Sequence, residues 1–128
     1  MLINISNHPI TTWSSEQITM AKSLWGDVCD VALPNINPHL DGVEVLHKAE
    51  DDVEKYISII KQYDEMSAFH IMGESVYCFH IIRLLKEMGY VVVASTTQRQ
   101  VRYAGTDKVS HFVFVKFQQL LCKLHEQI

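Results

Sequence analysis

The sequence predicts an α/β, Rossmann-like domain: a mostly parallel sheet of about five strands, helices on both faces, and an antiparallel last strand. Three observations carry that prediction. Short apolar segments alternate with longer amphipathic ones, the βαβ pattern that right-handed crossovers build into a parallel sheet. The run Tyr90-Val91-Val92-Val93-Ala94 is apolar without a break, as a strand buried on both faces requires. Gly26, Pro34, Gly73, Gly89 and Gly105 punctuate the joins between segments.

Taken in order, Met1 to Ile5 reads as a short strand ended by the turn chemistry of Ser6-Asn7-His8-Pro9. Ser14 or Ser15 can cap a helix from about Glu16 to Trp25, with Ile18, Ala21, Leu24 and Trp25 on one face and Gly26 as its stop. Val28 to Leu33 is a second strand, closed by Pro34, and Asn35 to Asp41 is a polar connector. Val43 to about Tyr63 is a second helix, because Val45, Leu46, Ala49, Val53, Tyr56, Ile57 and Ile60 recur at threes and fours. The acidic cluster Glu50-Asp51-Asp52 within it is expected on a solvated face. Ala68 to Met72 is a third strand, and Gly73-Glu74-Ser75 leads into a helix from about Val76 to Met88, stopped by Gly89. Tyr90 to Ala94 is the fourth strand. Ser95-Thr96-Thr97-Gln98-Arg99 then leaves it, Ala104-Gly105-Thr106-Asp107 is a turn, and His111 to Phe117 is a fifth strand with a short helix expected after it.

The bulk properties bound the function. A chain of 128 residues is one domain's length, so residues 1–128 are taken as a single unit. Its apolar runs fall far short of the roughly 20 residues that span a bilayer. The first residues, Met1-Leu2-Ile3-Asn4, do not read as a secretory signal, and a cytoplasmic protein without membrane contact is expected. Cys29, Cys78 and Cys122 are widely spaced, which suits buried free thiols better than a zinc site or disulfide framework. Eleven basic residues against fifteen acidic ones give a net charge of −4, so a duplex-binding stripe is not expected. A small anionic ligand is still compatible, because helix-start N–H groups bind phosphate without net positive charge.

Ligands of open parallel sheets bind beyond the carboxyl ends of the strands. That rule selects Ser6, Asn7 and His8 after the first strand, Gly73, Glu74 and Ser75 after the third, and Ser95, Thr96, Thr97, Gln98 and Arg99 after the fourth. Each has a plainer alternative. His8 and Asn7 can simply close a turn. Glu74 can sit in the first turn of a helix for the sake of its dipole. Arg99 and Arg102 match phosphate oxygens in a bidentate fork, or else are surface arginines. His70 and His80 read as structural, and His39, His47, His111 and His125 make no ligand-spaced pair. No metal motif, P-loop, dinucleotide fingerprint or nucleophile elbow occurs, so no cofactor and no metal are expected.

Three segments carry a resemblance: Leu2-Ile3-Asn4-Ile5-Ser6-Asn7-His8-Pro9, His70-Ile71-Met72-Gly73-Glu74 and Ala94-Ser95-Thr96-Thr97-Gln98-Arg99. They resemble the small stand-alone proteins of type III CRISPR systems that look like minimal CARF (CRISPR-associated Rossmann fold) domains. The likeness implies a homodimer that binds cyclic oligoadenylate, a ring of adenosines joined by phosphodiesters. In the ring-nuclease members it implies cleavage without metal: a ribose 2′-hydroxyl attacks the adjacent phosphorus in line, which ends the antiviral signal. Carried over, Ser6, Asn7 and His8 would contact ribose or phosphate. Gly73, Glu74 and Ser75 would place N–H groups near phosphate. Ser95, Thr96, Thr97 and Gln98 would line the pocket with Arg99. His8 is expected to transfer the proton, since imidazole titrates near neutral pH. Arg99 is expected to hold transition-state charge. Glu74 either points away from phosphate or is itself the base. The alternatives are a binder that holds the ring uncut, as sensor or sponge, and an interaction module with no nucleotide ligand.

Overall fold

The computed structural model describes residues 1–121. The sheet begins with β1 (Leu2–Ser6), an interior strand. It is paired in parallel with β2 (Val28–Ala32) on one side and β3 (Ala68–Met72) on the other. β4 (Val92–Ala104) runs parallel to β3, and β5 (Asp107–Gln119) returns antiparallel beside it. The order is β2-β1-β3-β4-β5, so the predicted α/β class holds. α1 (Ser15–Trp25) links β1 to β2, α2 (Gly42–Ile60) carries the chain back past β1 to β3, and α3 (Ser75–Glu87) links β3 to β4. The winding therefore reverses between β1 and β3, which makes their carboxyl ends the topological switch point.

The pleat divides the core into two layers. Ile3, Ile5, Phe69, Ile71 and Val92 face α2 and α3, where Ala49, Val53, Tyr56, Tyr77, Ile81 and Leu85 meet them. Leu2, Ala68 and Val93 face the other way, beneath Ala21 of α1, Trp13 and Phe117. Each apolar side chain so buried contributes about 1.5–3 kcal/mol, and the two layers clamp the central strands from both sides.

Local chemistry fixes the helix ends. Ser14 caps α1 by accepting from Gln17 N, and Gly26 ends it with φ +87°. Asp41 and Glu44 form a reciprocal capping box at the start of α2. Glu74 caps α3, its carboxylate accepting from Val76 N at 3.1 Å and Tyr77 N at 2.7 Å. A 3-10 turn, Ile10–Thr12, follows β1. Among the described residues no helix is long and apolar enough to cross a membrane.

Two expectations need correcting. Ser95 to Arg99 is not a turn after β4 but part of it: β4 continues to Ala104 and pairs along its length with β5. Thr96, Thr97, Val101 and Tyr103 suit extended backbone, and a partner strand rich in Val and Phe overrides the local turn-like composition. A two-residue turn joins the strands, with Gly105 at φ +67° in its first position, as the II′ type needs. The second correction concerns Asp52. Glu50 and Asp51 are exposed, but Asp52 lies on the inward stripe of α2 and is buried. Tyr77 Oη donates to it at 2.7 Å, and Lys48 and Lys55 lie at 3.2 and 3.3 Å.

Cys29 and Cys78 are free thiols, half-buried and buried. Burial, with the charge of Glu74 adding to it, pushes the Cys78 thiol up to about 11. Cys122 and the expected terminal helix lie outside the described residues.

Candidate functional site at the strand ends

Three five-residue strands each carry a polar residue in their third position: Asn4 in β1, Asp30 in β2 and His70 in β3. The register sets Asn4 directly opposite both Asp30 and His70. Alternation turns all three towards the α1 side of the sheet, as it does Ser6 and Ser95. Buried polar groups must find partners, and here they find one another. Asn4 Nδ2 donates to Asp30 Oδ1 and to the His8 carbonyl, each at 2.9 Å. Its Oδ1 accepts from Ser6 Oγ at 2.8 Å and meets His70 Nδ1 at 2.8 Å. On the far side of the ring, His70 Nε2 meets Ser95 Oγ at 2.7 Å. Gln17 of α1 donates to the same Ser95 oxygen at 3.0 Å.

The chain of contacts therefore crosses the sheet from β2 to β4 and ends on the helix. His70 is 2% exposed, with the rings of Trp13 and Phe117 edge-on to it at 5.3 and 5.5 Å. Burial lowers its pKa to about 4, with the nearby charge of His8 as a lesser cause, so the ring is neutral at pH 7. The His8 carbonyl is a second hub: besides Asn4 it accepts from Trp13 Nε1 at 2.8 Å. That anchors the turn after β1 while its imidazole stays exposed. Asp30 completes the frame by accepting from Ile10 N at 3.1–3.2 Å.

Beside this network, at the carboxyl ends of β1 and β2, lies a cavity of about 430 Å³ lined by Asn4, Ser6, Asn7, Asp30 and Leu33. That volume falls in the range of small-ligand sites.

The sequence-selected residues separate into three groups. Ser6, His8 and Ser95 are drawn together through Asn4 and His70, and Asn7 lines the adjacent cavity. Gly73, Glu74 and Ser75 offer less than expected. Leu33 fills the space that a side chain on Gly73 would need, so its closest neighbour is apolar. The Glu74 carboxylate already takes helix-start N–H groups that a phosphate would use. Thr96, Thr97, Gln98 and Arg99 lie out along the hairpin. Thr96 Oγ1 donates to Lys116 O, and the Arg99 guanidinium donates twice to Ser110 Oγ at 2.9 and 3.2 Å. Alternation keeps Thr97 and Arg99 on the face of Ser95 and turns Gln98 to the other. The polar connector from 35 to 41 is tied down, with Ile36 and Leu40 packed against the α2–α3 layer.

Asn4, Asp30, His70, Trp13 and Gln17 were not selected from the sequence. A signal for the first three was present: a polar residue at the centre of an otherwise apolar parallel strand has to be satisfied internally. Among the described residues no three metal-binding side chains converge.

Compared with known proteins, residues 1–118 match the model of the Uncharacterized protein MJ1673 family. No curated protein and no solved structure matches the chain.

Proposed function

The chain belongs to the family whose model it matches, and we propose that it binds cyclic oligoadenylate at its strand ends and opens the ring by metal-independent attack of a ribose 2′-hydroxyl. One observation carries the proposal. Ser6 and the main-chain carbonyl of His8, from the end of β1, and Ser95, from β4, are joined by hydrogen bonds through Asn4 and His70 at the switch point of the sheet.

Two further features support it. The adjacent cavity of about 430 Å³ is sized for part of such a ring. The hairpin face continuous with Ser95 presents Arg99 and Lys108 among exposed Tyr103 and Phe112, groups that suit phosphates and the faces of bases. In this proposal His8 protonates the departing 5′-oxygen and Arg99 stabilises charge on the phosphorane. Asn7, Thr97 and Ser6 hold the ribose and phosphate. Glu74 keeps to its cap and takes no part in the chemistry. The protein acts as a cytoplasmic homodimer, with the ring bound between two copies, and its activity ends type III CRISPR signalling.

The test is incubation with cyclic tri-, tetra- and hexa-adenylate, with and without EDTA, with products resolved by chromatography. Linear products ending in a 2′,3′-cyclic phosphate, formed equally under chelation, are expected. Rings that stay intact but co-elute with the protein would mean a sponge or sensor. Rings that neither bind nor open would sink both. Light scattering of the same samples reads the dimer.

A further inference from the structure

We infer that Ser95 is the proton acceptor for the attacking hydroxyl and relays that proton to His70, an assignment that rests on the ring-opening function proposed above. Asn4 Nδ2 faces the Asp30 carboxylate and the His8 carbonyl, which only accept, so the orientation of the amide is fixed. Asn4 Oδ1 is therefore the atom facing His70 Nδ1, and that nitrogen must carry the proton. The neutral ring then has a bare Nε2, and the only proton that can lie between it and Ser95 Oγ is the hydroxyl proton of Ser95.

A serine oxygen has one proton and two lone pairs. The proton is committed to His70 and one lone pair to the Gln17 amide. One lone pair is left, on a half-buried residue beside the strand ends. A hydroxyl group is the ligand group that completes this set, because it donates to the open lone pair and is linked through Ser95, by two proton transfers, to a bare imidazole nitrogen.

The step balances without water or metal. The 2′-hydroxyl proton passes to Ser95 Oγ as the serine proton passes to His70 Nε2. The 2′-oxygen forms its bond to phosphorus, the bond from phosphorus to the 5′-oxygen breaks, and His8 as imidazolium protonates that oxygen. The product holds the same atoms as the substrate. After product release His70 gives its proton back through Ser95 to solvent and His8 takes one up from solvent, which resets both rings. Burial keeps the ring bare at neutral pH and equally disfavours the imidazolium, a cost that Asn4 Oδ1, with the Asp30 carboxylate behind it, offsets as the proton arrives. Two histidines in unlike surroundings, one enclosed and one exposed, divide the base and acid roles.

Two measurements on the full chain decide the matter. A long-range proton–nitrogen correlation spectrum reads the tautomer of His70 without any ligand. Nδ1 protonated and Nε2 bare is expected, with Ser95→Ala moving the Nε2 resonance most. A proton on Nε2 overturns the relay whatever the protein cleaves. The second measurement is single-turnover opening of the cyclic oligoadenylates named above. Ser95→Ala is expected to lose about 10²–10⁴-fold in rate with its affinity for the ring within a few fold of the parent, and Ser95→Thr to recover much of the loss. Ser95 is the residue to change because it is half-buried, whereas His70 is packed between two rings. A parent protein that opens rings while Ser95→Ala opens them as fast overturns the relay and leaves the proposed function standing. A parent protein that opens none removes both.

Discussion

His70 Nε2 and Ser95 Oγ lie 2.7 Å apart although 25 residues separate them in the chain. The contact crosses from β3 to β4, and it exists because both residues point to the α1 face of a sheet in which these strands are neighbours. Asn4 extends it to β1 and β2. A polar row through the middle of four parallel strands is costly unless every group is satisfied, and here the partners are close and mutual. The row fixes the strand register and presents one end, Ser95, near the surface. Structure and chemistry thus depend on the same bonds, so stability measurements report on the network before any ligand is known.

The first prediction concerns pH. The folded pKa of His70 is about 4, against 6.5 for an unperturbed histidine. The unfolded chain therefore binds more protons between these values, and stability rises with pH across that window. The contribution is complete above about pH 6.5 and is lost on the way down to about pH 4, where the loss amounts to about 3 kcal/mol. Urea midpoints measured between pH 7.5 and pH 4.5, with these pH values as roughly the bounds of the linkage, should fall steadily. A flat series would mean that His70 is not held neutral by the fold.

A second prediction isolates the other polar cluster. Burial acts to raise the pKa of Asp52, but hydrogen bonds from Tyr77, Lys48 and Lys55 outweigh it and hold the carboxyl below the usual range. Tyr77 gives its proton to Asp52, so Tyr56 must donate to Tyr77, at 2.7 Å. Tyr77→Phe removes the shared oxygen and leaves both partners short of a bond, at a cost of about 1–3 kcal/mol. Tyr56→Phe loses only the outer bond and should cost less. The two chemical denaturation curves compare them directly, and equal losses would contradict the stated order of donation.

How far the sequence revealed this arrangement follows from which signals are local. Helix ends were legible where caps and stops act within a few residues, as at Ser14, Gly26 and Gly89, whereas the Asp41–Glu44 capping box was read as part of the polar connector. Parallel strands were legible from their apolar runs. The extent of β4 was not, because Ser95-Thr96-Thr97-Gln98-Arg99 has a turn's composition and becomes strand only through pairing with residues 112–117. Asp52 was misplaced for a similar reason, since its partner Tyr77 is on another helix. At the site, the strand-end rule selected Ser6, His8 and Ser95, which hydrogen bonds do connect, although Ser95 lies inside β4 and not at its end. Asn4 and His70, which join them, were passed over because a bond between neighbouring strands depends on a register that no single segment encodes.

A third prediction separates the outer histidine from the inner one. His8 is exposed, and its main-chain carbonyl, not its ring, accepts from Asn4 and Trp13. His8→Ala should leave the urea midpoint within about 0.5 kcal/mol of the parent, as surface changes usually do. Ring opening should nonetheless slow by about 10²–10⁴-fold if the imidazole is the acid. Cleavage at the parent rate would move that role elsewhere.

The last prediction tests which face of the hairpin meets the ligand. Residues 92–119 hold four of the chain's eleven basic residues and one of its fifteen acidic ones, so the hairpin is cationic on an acidic protein. Pairing and alternation put Arg99 and Lys108 on the side of Ser95, with Tyr103 and Phe112, and turn Arg102 to the opposite side. An anionic ring bound at Ser95 reaches only the first pair. Arg99→Ala with Lys108→Ala should therefore weaken binding of cyclic oligoadenylate by at least about tenfold, while Arg102→Ala changes it little. Fewer cations on phosphate also means fewer ions released on binding, so the slope of log affinity against log salt should flatten by about 0.7 for each contact removed. All three side chains are exposed, and the unfolding midpoint should not move. Titrations at several salt concentrations supply both the affinity and the slope. Equal losses from Arg102 and from Arg99 would show that the charge of the hairpin acts from a distance and that the Ser95 face is not where the phosphates lie.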